Sequence, residues 1–408
     1  MKELKSLDKT VVLAILVAAL GYFVDIYDLL LFSIVRVQSL KDLGIPEDQV
    51  LDQGVILMNA QMAGLLIGGI LWGIIGDKKG RLSVLFGSIF MYSAANIANA
   101  FVTTVEMYAV LRFVAGVGLA GELGAGITLI AEILPQRLRG YGTSIVAGIG
   151  ILGAVFGGII AEFFHWTTAY LIGGVLGFLI LLLRVGVRES GMFNKAKEQG
   201  VSRGNFMMVF RRRETFTKFV AVILIGVPIW FVIGILITFA PEFGRAFGMT
   251  EAVTAGRAVL WCYFGLALGD FSSGIVSQWF KSRKKAILVY IIGTAASVAL
   301  HLLFAGTSAF VFYCFCVLIG FFAGYWAMFV TVAAEQFGTN LRSTVTTSVP
   351  NFVRGSVIPL TALFQYFKVG FGVIGGSAIT GLIAFVIALV ALFWLEETFH
   401  KDLDYNEV

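Results

Sequence analysis

Residues 13–35 read LAILVAALGYFVDIYDLLLFSIV, an apolar run that is interrupted by two acids, Asp25 and Asp28. About 20 apolar residues are enough for an α-helix to cross the hydrocarbon core of a bilayer. Similar runs fill most of the 408 residues, of which 58% are hydrophobic and 13% charged. A soluble domain typically has about 25% charged residues. The composition therefore predicts an integral membrane protein.

The hydropathy of the whole chain predicts twelve transmembrane helices and an all-α membrane protein. The spans lie at about 10–36, 53–75, 82–102, 105–134, 141–163, 168–186, 218–242, 254–280, 285–304, 307–336, 344–367 and 374–395. We expect an N-terminal six-helix bundle at residues 1–186, a cytoplasmic linker at 187–217 and a C-terminal six-helix bundle at 218–408.

The two halves share short identities at a fixed spacing. Ala131-Glu132 and Leu138-Arg139 recur 203 positions later as Ala334-Glu335 and Leu341-Arg342. Three glycines of span two recur 201 positions later in span eight: Gly64, Gly68 and Gly73 match Gly265, Gly269 and Gly274. Repeats that pack face to face place a binding site at their interface, near the middle of the membrane. The sequence thus predicts two six-helix pseudo-repeats around a central cavity.

The 30 Lys and Arg residues are distributed unevenly between the two membrane faces. With twelve spans, 23 of them fall on the side of the termini, 5 on the opposite side and 2 inside spans. Cytoplasmic loops are enriched in Lys and Arg, so both termini are expected in the cytoplasm and the chain in the plasma or inner membrane. The excess of basic residues behind the net charge of +5 therefore serves to orient the chain in the membrane. We expect no nucleic-acid partner.

Charged residues inside the predicted spans are the main functional signal. They are Asp25 and Asp28 in span one, Arg112 and Glu122 in span four, Asp270 in span eight and Arg354 in span eleven. Each would cost a few kcal/mol or more if it faced lipid, so such residues face a cavity or a partner. Asp25, Asp270 and Arg354 lie roughly halfway through their spans, counted at about 1.5 Å per residue.

Asp25 and Asp28 are candidates for proton coupling. They are three residues apart and project from one helix face, near Tyr22. Two carboxylates in a low-dielectric cavity cannot both ionise cheaply, so one is expected to accept a proton. The alternative is that one acid only pairs with a cation or supports packing. Glu122, which lies among glycines, could serve in coupling or form an interhelical hydrogen bond.

Arg354 is the candidate anchor for an anionic substrate. Its guanidinium is permanently charged and offers a planar fork that fits a carboxylate or phosphate. It could equally pair with Asp270, and exchange between the two partners would itself be a transport mechanism. Tyr22, Tyr325 and Trp326 are candidates for the cavity wall, although such aromatic residues more often serve in packing.

The loop after span two reads Gly73-Ile-Ile-Gly-Asp77-Lys-Lys-Gly80-Arg81, which resembles the loop signature of the major facilitator superfamily. Arg112-x-x-x-Gly116-x-Gly118 is similar to that superfamily's second motif, and the glycine-rich stretch around Glu122 resembles its metabolite:proton symporter branch. The endings of spans six and twelve, Val187-Arg-Glu-Ser and Glu396-Glu-Thr-Phe, are similar to those of the symporter branch and of sugar porters.

This resemblance implies a set of roles. Arg112 would act in coupling, and spans three, six, nine and twelve would face lipid. A charge latch would hold the cytoplasmic ends of the halves together. The expected cytoplasmic gate residues are Gly73, Asp77, Gly80, Arg81, Glu132, Arg139, Glu335 and Arg342. Two departures are Gln278, where the second copy of the signature would have an acid, and Ala154, where the antiporter motif has proline; the latter disfavours antiport.

These patterns together predict an alternating-access secondary transporter that functions as a monomer. We expect proton-coupled symport of a small organic anion or zwitterion. The alternatives are an uncoupled facilitator or an exporter of a small polar or cationic solute, or a membrane receptor that retains a transporter fold. An enzyme is disfavoured because the loops carry no metal cluster or nucleophile–histidine arrangement. No cofactor and no metal are expected.

Overall fold

The structure, a computed structural model, describes residues 9–79, 81–122, 139–184 and 207–399. Within these ranges the chain is helical and contains no β-strand. The helices of the N-terminal half are α1 Lys9–Asp42, α2 Val50–Lys79, α3 Arg81–Asn99, α4 Val105–Leu119, α5 Arg139–Phe163 and α6 Trp166–Leu183.

The C-terminal half begins with the short helix α7 Met208–Arg211 and with α8 Arg213–Phe231, which continues as the π-helix Val232–Ile237. The remaining helices are α9 Ala240–Ala246, α10 Ala255–Phe280, α11 Arg283–Phe304, α12 Ala309–Ala323, α13 Trp326–Glu335, α14 Thr339–Gly355 and α15 Val357–Trp394.

Eight segments of the described chain are long and apolar enough to cross a membrane. One of them, Thr344–Trp394, has 51 residues and would be about 76 Å long as one helix, more than twice the thickness of a hydrocarbon core of about 30 Å. Gly372 interrupts it with φ 69° and ψ −177°, a conformation that favours glycine. This segment is therefore long enough for two crossings, while the total of twelve spans stays a prediction.

Small residues bring the same helices together in each half. A Cβ atom on Gly64 of α2 would collide with the backbone carbonyl of Phe113 on α4. A Cβ on Gly265 of α10 would collide in the same way with the carbonyl of Val317 on α12. Lipid provides no hydrophobic drive between helices, so close backbone packing has to hold them together. Two of the three recurring glycine pairs, Gly64 with Gly265 and Gly68 with Gly269, are thus helix contacts, whereas no atom lies within 4 Å of where a Cβ would be on Gly73 or Gly274.

One span is broken in its middle, where α12 ends at Ala323 and α13 begins at Trp326. The break frees backbone N–H groups inside the bundle, where each needs a hydrogen-bond acceptor. Asp270 of α10 provides one, because its Oδ1 accepts a hydrogen bond of 2.9 Å from the N–H of Ala327. Broken helices of this kind are typical of the binding sites of transporters.

Candidate functional site

A cavity of about 30 Å³ lies between the two halves, which is much smaller than the roughly 300–1,000 Å³ of small-molecule sites. Among the described residues its wall contains one charged side chain, Arg354, with four aromatic and six aliphatic ones. The lining residues are Tyr22, Ile26, Leu29, Ile151, Ile229, Trp230, Ile233, Tyr263, Leu266, Trp326 and Arg354.

Arg354, on α14, is 1% exposed. Its guanidinium carbon lies 5.8 Å from the ring centre of Trp326, within the range of a cation–π contact. Its Nη1 donates a hydrogen bond of 3.4 Å to Asn351, and its Nε has no partner among the described residues. A buried guanidinium with unused donors has the capacity to bind an anion.

Asp25 is fully buried, and neither carboxylate oxygen has a hydrogen-bond partner among the described residues. The charged groups that act on it are Arg354 across the interface and Glu122 and Arg184 in its own half. Tyr22 lies one turn earlier on α1, and the charges of Arg354 and Asp25 both act on its hydroxyl group. The predicted substrate anchor Arg354 thus acts electrostatically on the predicted coupling acid Asp25.

Asp28 faces a different cation. It is fully buried, its electrostatic partners include Arg112 and Asp25, and the amide of Asn96 lies beside it. The guanidinium of Arg112 lies 5.5 Å from the ring centre of Phe32 and 5.7 Å from that of Tyr170. Asp25 and Asp28 therefore face separate cations, one at the interface and one inside the N-terminal half.

Two predicted substrate residues have other contacts. The Arg354–Asp270 pair, one of the two alternatives for Arg354, is not formed in this structure, because the Asp270 carboxylate caps α13 and lies outside the cavity wall. Tyr325 is also absent from that wall, and its hydroxyl donates a hydrogen bond of 2.8 Å to the carbonyl of Ile225. Trp326, its neighbour, does line the cavity. The helix break between α12 and α13 accounts for these placements.

Glu122 forms an ion pair that the sequence did not indicate. Its partner is Arg184, directly after α6 and near the end of predicted span six, on the side of the termini. Arg184 Nη1 lies 3.1 Å from Glu122 Oε2, and Nη2 bonds to Oε1. The side chains are 2% and 1% exposed, and they pack against Gly21 of α1. Two roles were predicted for Glu122, proton coupling and an interhelical hydrogen bond. This geometry favours the interhelical bond.

Glu122→Gln is expected to lower the thermal stability of the purified protein, because it leaves the Arg184 charge buried without a counter-ion. Breaking a buried pair in this way costs about 3–5 kcal/mol. The double variant Glu122→Gln with Arg184→Gln should lose less than the single variant. Thermal unfolding in detergent would measure both, and equal losses for single and double variants would contradict the pairing.

Glu335 is the predicted gate residue whose contacts are best defined. Arg283 reaches its carboxylate with two hydrogen bonds of 3.1 and 3.3 Å, and the Thr398 hydroxyl donates a third of 2.6 Å. Glu397 accepts hydrogen bonds from Ser282 and from the N–H groups at the start of α11. Burial raises the pKa of Glu397, but these bonds outweigh it and hold the pKa below its usual value.

The other gate residues can be placed only in part. Gly73 is on α2, and no atom lies within 4 Å of where its Cβ would be. Gly80 and Glu132 are outside the described residues. The backbones of Asp77, Arg81, Arg139 and Arg342 are helical, but their side chains are outside the described part. The cytoplasmic latch therefore stays a prediction.

The two halves are joined by ion pairs at the end of the bundles that carries the connections 43–49 and 247–254, here called the closed end. Among the described residues, four pairs cross between the halves there: Arg36–Glu242, Glu47–Arg245, Asp52–Lys368 and Glu162–Arg257. The first is buried, with exposures of 0% and 6% and an N–O distance of 2.7 Å. Arg36 also donates hydrogen bonds to the carbonyls of Val50 and Thr238. The charge distribution of the sequence indicates only that Arg36 lies on the side opposite the termini.

Glu242→Gln is expected to open the closed end, because it leaves Arg36 buried without its counter-ion. A cysteine placed at Ile233, in a background without the native cysteines, would report access to the cavity. Its reaction with a membrane-impermeant maleimide added at the closed end should accelerate about tenfold or more, which corresponds to a shift of about 1.4 kcal/mol.

Glu162→Gln is the matched control for Glu242→Gln. Its partner Arg257 is 55% exposed, and exposed pairs contribute only about 0–1 kcal/mol. A similar acceleration in both variants, or in neither, would show that the buried pair does not hold this end closed.

Residues 12–362 of the chain match the Major Facilitator Superfamily. A putative metabolite transport protein of Haemophilus influenzae is 25% identical over 96% of this chain and 97% of that protein. The 4-hydroxybenzoate transporter of Pseudomonas putida is 33% identical over 36% of this chain and 34% of that protein. The crystal structure of a D-xylose-proton symporter superposes with a TM-score of 0.76 and 17% identity, covering 97% of this chain and all of that one.

The chain therefore belongs to the Major Facilitator Superfamily. The family match covers the described helices of the N-terminal half and most of those in the C-terminal half, and the superposition shows the same fold over nearly the whole chain. The predicted superfamily is confirmed, and the protein is an integral membrane transporter.

Proposed function

We propose that the protein is an alternating-access symporter that couples the entry of a proton to the uptake of a small organic anion with a planar, apolar body. The observation that carries this proposal is the position of Asp25, a buried acid that has no hydrogen-bond partner among the described residues and that feels the charge of Arg354, the cavity cation of the other half. The charge of Arg354 affects how readily Asp25 takes up a proton, and the charge of Asp25 affects how strongly Arg354 binds an anionic substrate.

The cavity wall supports the substrate class. A carboxylate would bind the guanidinium of Arg354, while Tyr22, Trp230, Tyr263 and Trp326 offer aromatic faces to a flat ring. No acid is among the described lining residues, which favours an anion over a zwitterion. The match to a 4-hydroxybenzoate transporter agrees with this class, since that compound combines a carboxylate with an aromatic ring.

Coupling follows from competition for one cation. When Asp25 is ionised it neutralises Arg354, so an entering carboxylate would add an uncompensated negative charge to a low-dielectric site. When Asp25 carries a proton, Arg354 is free to bind the carboxylate, and the site remains neutral. Because a buried unpaired charge is costly, proton and anion would bind together and leave together.

The distribution of Lys and Arg supports the orientation. With both termini in the cytoplasm, the closed end faces the outside, and the structure corresponds to a state that is shut toward the exterior. One chain contributes both halves and the whole described cavity wall, which supports a functional monomer. Uncoupled facilitation is the alternative and predicts uptake that is insensitive to a proton gradient.

Arg354→Ala is expected to weaken substrate binding, because it removes the cavity cation. Hydrogen bonds to a charged group contribute about 1.5–3 kcal/mol, so the Kd for 4-hydroxybenzoate should rise about 10- to 150-fold. Binding can be measured by calorimetry on the purified protein, with D-xylose as a neutral comparison ligand. Arg257→Gln, which removes an exposed arginine, is the control. Unchanged affinity in Arg354→Ala would refute the assignment of the anion anchor.

Asp25→Asn is expected to abolish coupling while retaining exchange, because the asparagine mimics the protonated acid permanently. In proteoliposomes, an inward proton gradient should stimulate 4-hydroxybenzoate uptake by the unmodified protein but not by this variant. Counterflow of labelled against unlabelled substrate should persist. Stimulation that survives in Asp25→Asn would exclude Asp25 as the coupling acid, and its absence in the unmodified protein would favour the facilitator.

A further inference from the structure

A seam of polar contacts joins the halves where α2 of the N-terminal half packs against α14 and α15 of the C-terminal half. At the closed end, the ion pair between Asp52 and Lys368 belongs to this seam. Seven residues further along α2 and seven residues back along α15, Asn59 Oδ1 lies 3.0 Å from Thr361 Oγ1. The helices thus run antiparallel along the seam, which leads away from the closed end.

The seam reaches Asn351 of α14, which is 3% exposed. Its Nδ2 donates a hydrogen bond of 3.0 Å across the interface to the carbonyl of Ala120, directly after α4. The same nitrogen donates a second bond of 3.2 Å to the carbonyl of Thr347 on its own helix. Gly69 of α2 leaves room for the amide, because a Cβ there would lie 2.9 Å from Asn351 Nδ2. The bond from Asn351 to Ala120 is here called the Asn351 bridge.

The Asn351 bridge lies on the side of the cavity away from the closed end. The chain runs from Asn351 past Arg354 and Thr361 to Lys368, which is paired at the closed end. Asn351 is therefore one helical turn beyond the cavity cation, toward the opposite end of the bundles. Because Asn351 and Ala120 belong to different halves, opening of the cavity at that opposite end would separate them.

The third partner of Asn351 is the substrate anchor itself. Arg354 Nη1 donates a hydrogen bond of 3.4 Å to Asn351 Oδ1. A side-chain amide has one acceptor oxygen and one donor nitrogen, so a donor bound to the oxygen directs the nitrogen elsewhere. While Arg354 holds the oxygen, the nitrogen points to the carbonyl of Ala120. The cavity cation thus orients the residue that bridges the halves.

We propose that the Asn351 bridge keeps the cavity shut at the opposite end while the protein carries a proton but no substrate. The proposal rests on the proton-coupled symport proposed above and deepens it, since a symporter that moves a proton alone dissipates the gradient that drives it. The bridge is held when Arg354 donates to Asn351, and it is released when the guanidinium turns to an anion.

The anions available to Arg354 determine the state of the bridge. A carboxylate binds a guanidinium with opposite charge and two parallel hydrogen bonds, so it displaces the neutral amide of Asn351. Ionised Asp25 competes in the same way, because Glu122 and Arg184, the other charges that act on it, are paired with each other. The loaded form and the form without either ligand therefore release the bridge. The form with a proton on Asp25 and no substrate retains it.

The contacts of this structure match the retained form. Arg354 donates to Asn351, and Asp25 has no hydrogen-bond partner among the described residues. The cavity of about 30 Å³ lies between the ion pairs of the closed end and the Asn351 bridge. A proton on Asp25 then leaves toward the opposite end only after an anion has entered the cavity.

Asn351→Leu tests the bridge, because leucine has a similar size and no hydrogen-bonding group. In proteoliposomes with an inward proton gradient and no substrate, the interior should acidify about three- to tenfold faster, the factor that one hydrogen bond contributes to an equilibrium constant. An enclosed pH-sensitive dye measures this rate. Counterflow of labelled against unlabelled 4-hydroxybenzoate should persist, which would show that the variant is folded and binds its substrate.

Thr361→Val is the matched control for Asn351→Leu. It removes the contact with Asn59 from the same seam, but it touches neither Arg354 nor Asn351. Its proton leak should equal that of the unmodified protein.

Gly69→Ala disturbs the bridge without a change at Asn351, because the added methyl group meets the amide. Its proton leak should rise as well. Gly148→Ala is the control, since no atom lies within 4 Å of where a Cβ on Gly148 would be.

A distance measurement reports the opposite end directly. Lys79 and Lys281 are exposed, at the end of α2 and directly after α10, and can carry spin labels. At acid pH, 4-hydroxybenzoate should lengthen the distance between the labels in the unmodified protein. In Asn351→Leu the distance should already be long without substrate. Equal distances in the two proteins without substrate would refute the bridge.

Two leak results would overturn the bridge alone. One is an unchanged leak in both Asn351→Leu and Gly69→Ala. The other is an equal rise in Thr361→Val, which a general loosening of the seam predicts. Absence of gradient-stimulated uptake in the unmodified protein would instead overturn the proposed function and, with it, the role of the bridge.

Discussion

The constraint on which this structure depends is that a charge inside the bundle needs a counter-charge or a polar path. The described interior meets it in two ways. Arg36–Glu242 and Arg184–Glu122 are in direct ion-pair contact, which fixes one helix to another. Asp25 faces Arg354 electrostatically without a hydrogen bond. Leaving a buried polar group without a hydrogen-bond partner costs about 1–3 kcal/mol. We therefore expect a proton on Asp25 or an anion on Arg354 to offset that cost.

Glycine contacts and one broken helix place these charges. Close packing of α2 on α4 and of α10 on α12 leaves little lateral freedom for the spans that surround the cavity. The break before Trp326 turns that side chain into the cavity beside Arg354. Asp270 stabilises the break by accepting a backbone hydrogen bond, so this intramembrane acid shapes the site without lining it.

The apolar runs of the sequence were sufficient to predict the helices, and the cost of charge in lipid was sufficient to predict that Arg354 and Asp25 lie inside. The ion pairs could not be predicted from the sequence. Arg36 and Glu242, for example, are 206 positions apart, and the residues next to each in the sequence do not identify the other as its partner. Arg184 lies near the end of predicted span six, 62 positions from Glu122, and hydropathy does not identify it as the partner of that acid. The helix break between α12 and α13, whose backbone N–H is bonded to Asp270, lies within an apolar stretch. Hydropathy therefore does not reveal it.

The positions of the two acids on α1 suggest why both are present. Asp28 faces Arg112 inside a single half, so a rigid rotation of the halves would leave that distance unchanged. Asp25 faces Arg354 across the interface, so the same rotation would change their separation and the affinity of Asp25 for a proton. A proton held at Asp28 is one helical turn from Asp25. Under the proposed mechanism, storage inside one half and release at the interface would be tasks for two separate acids, and one acid at either position would perform only one of them.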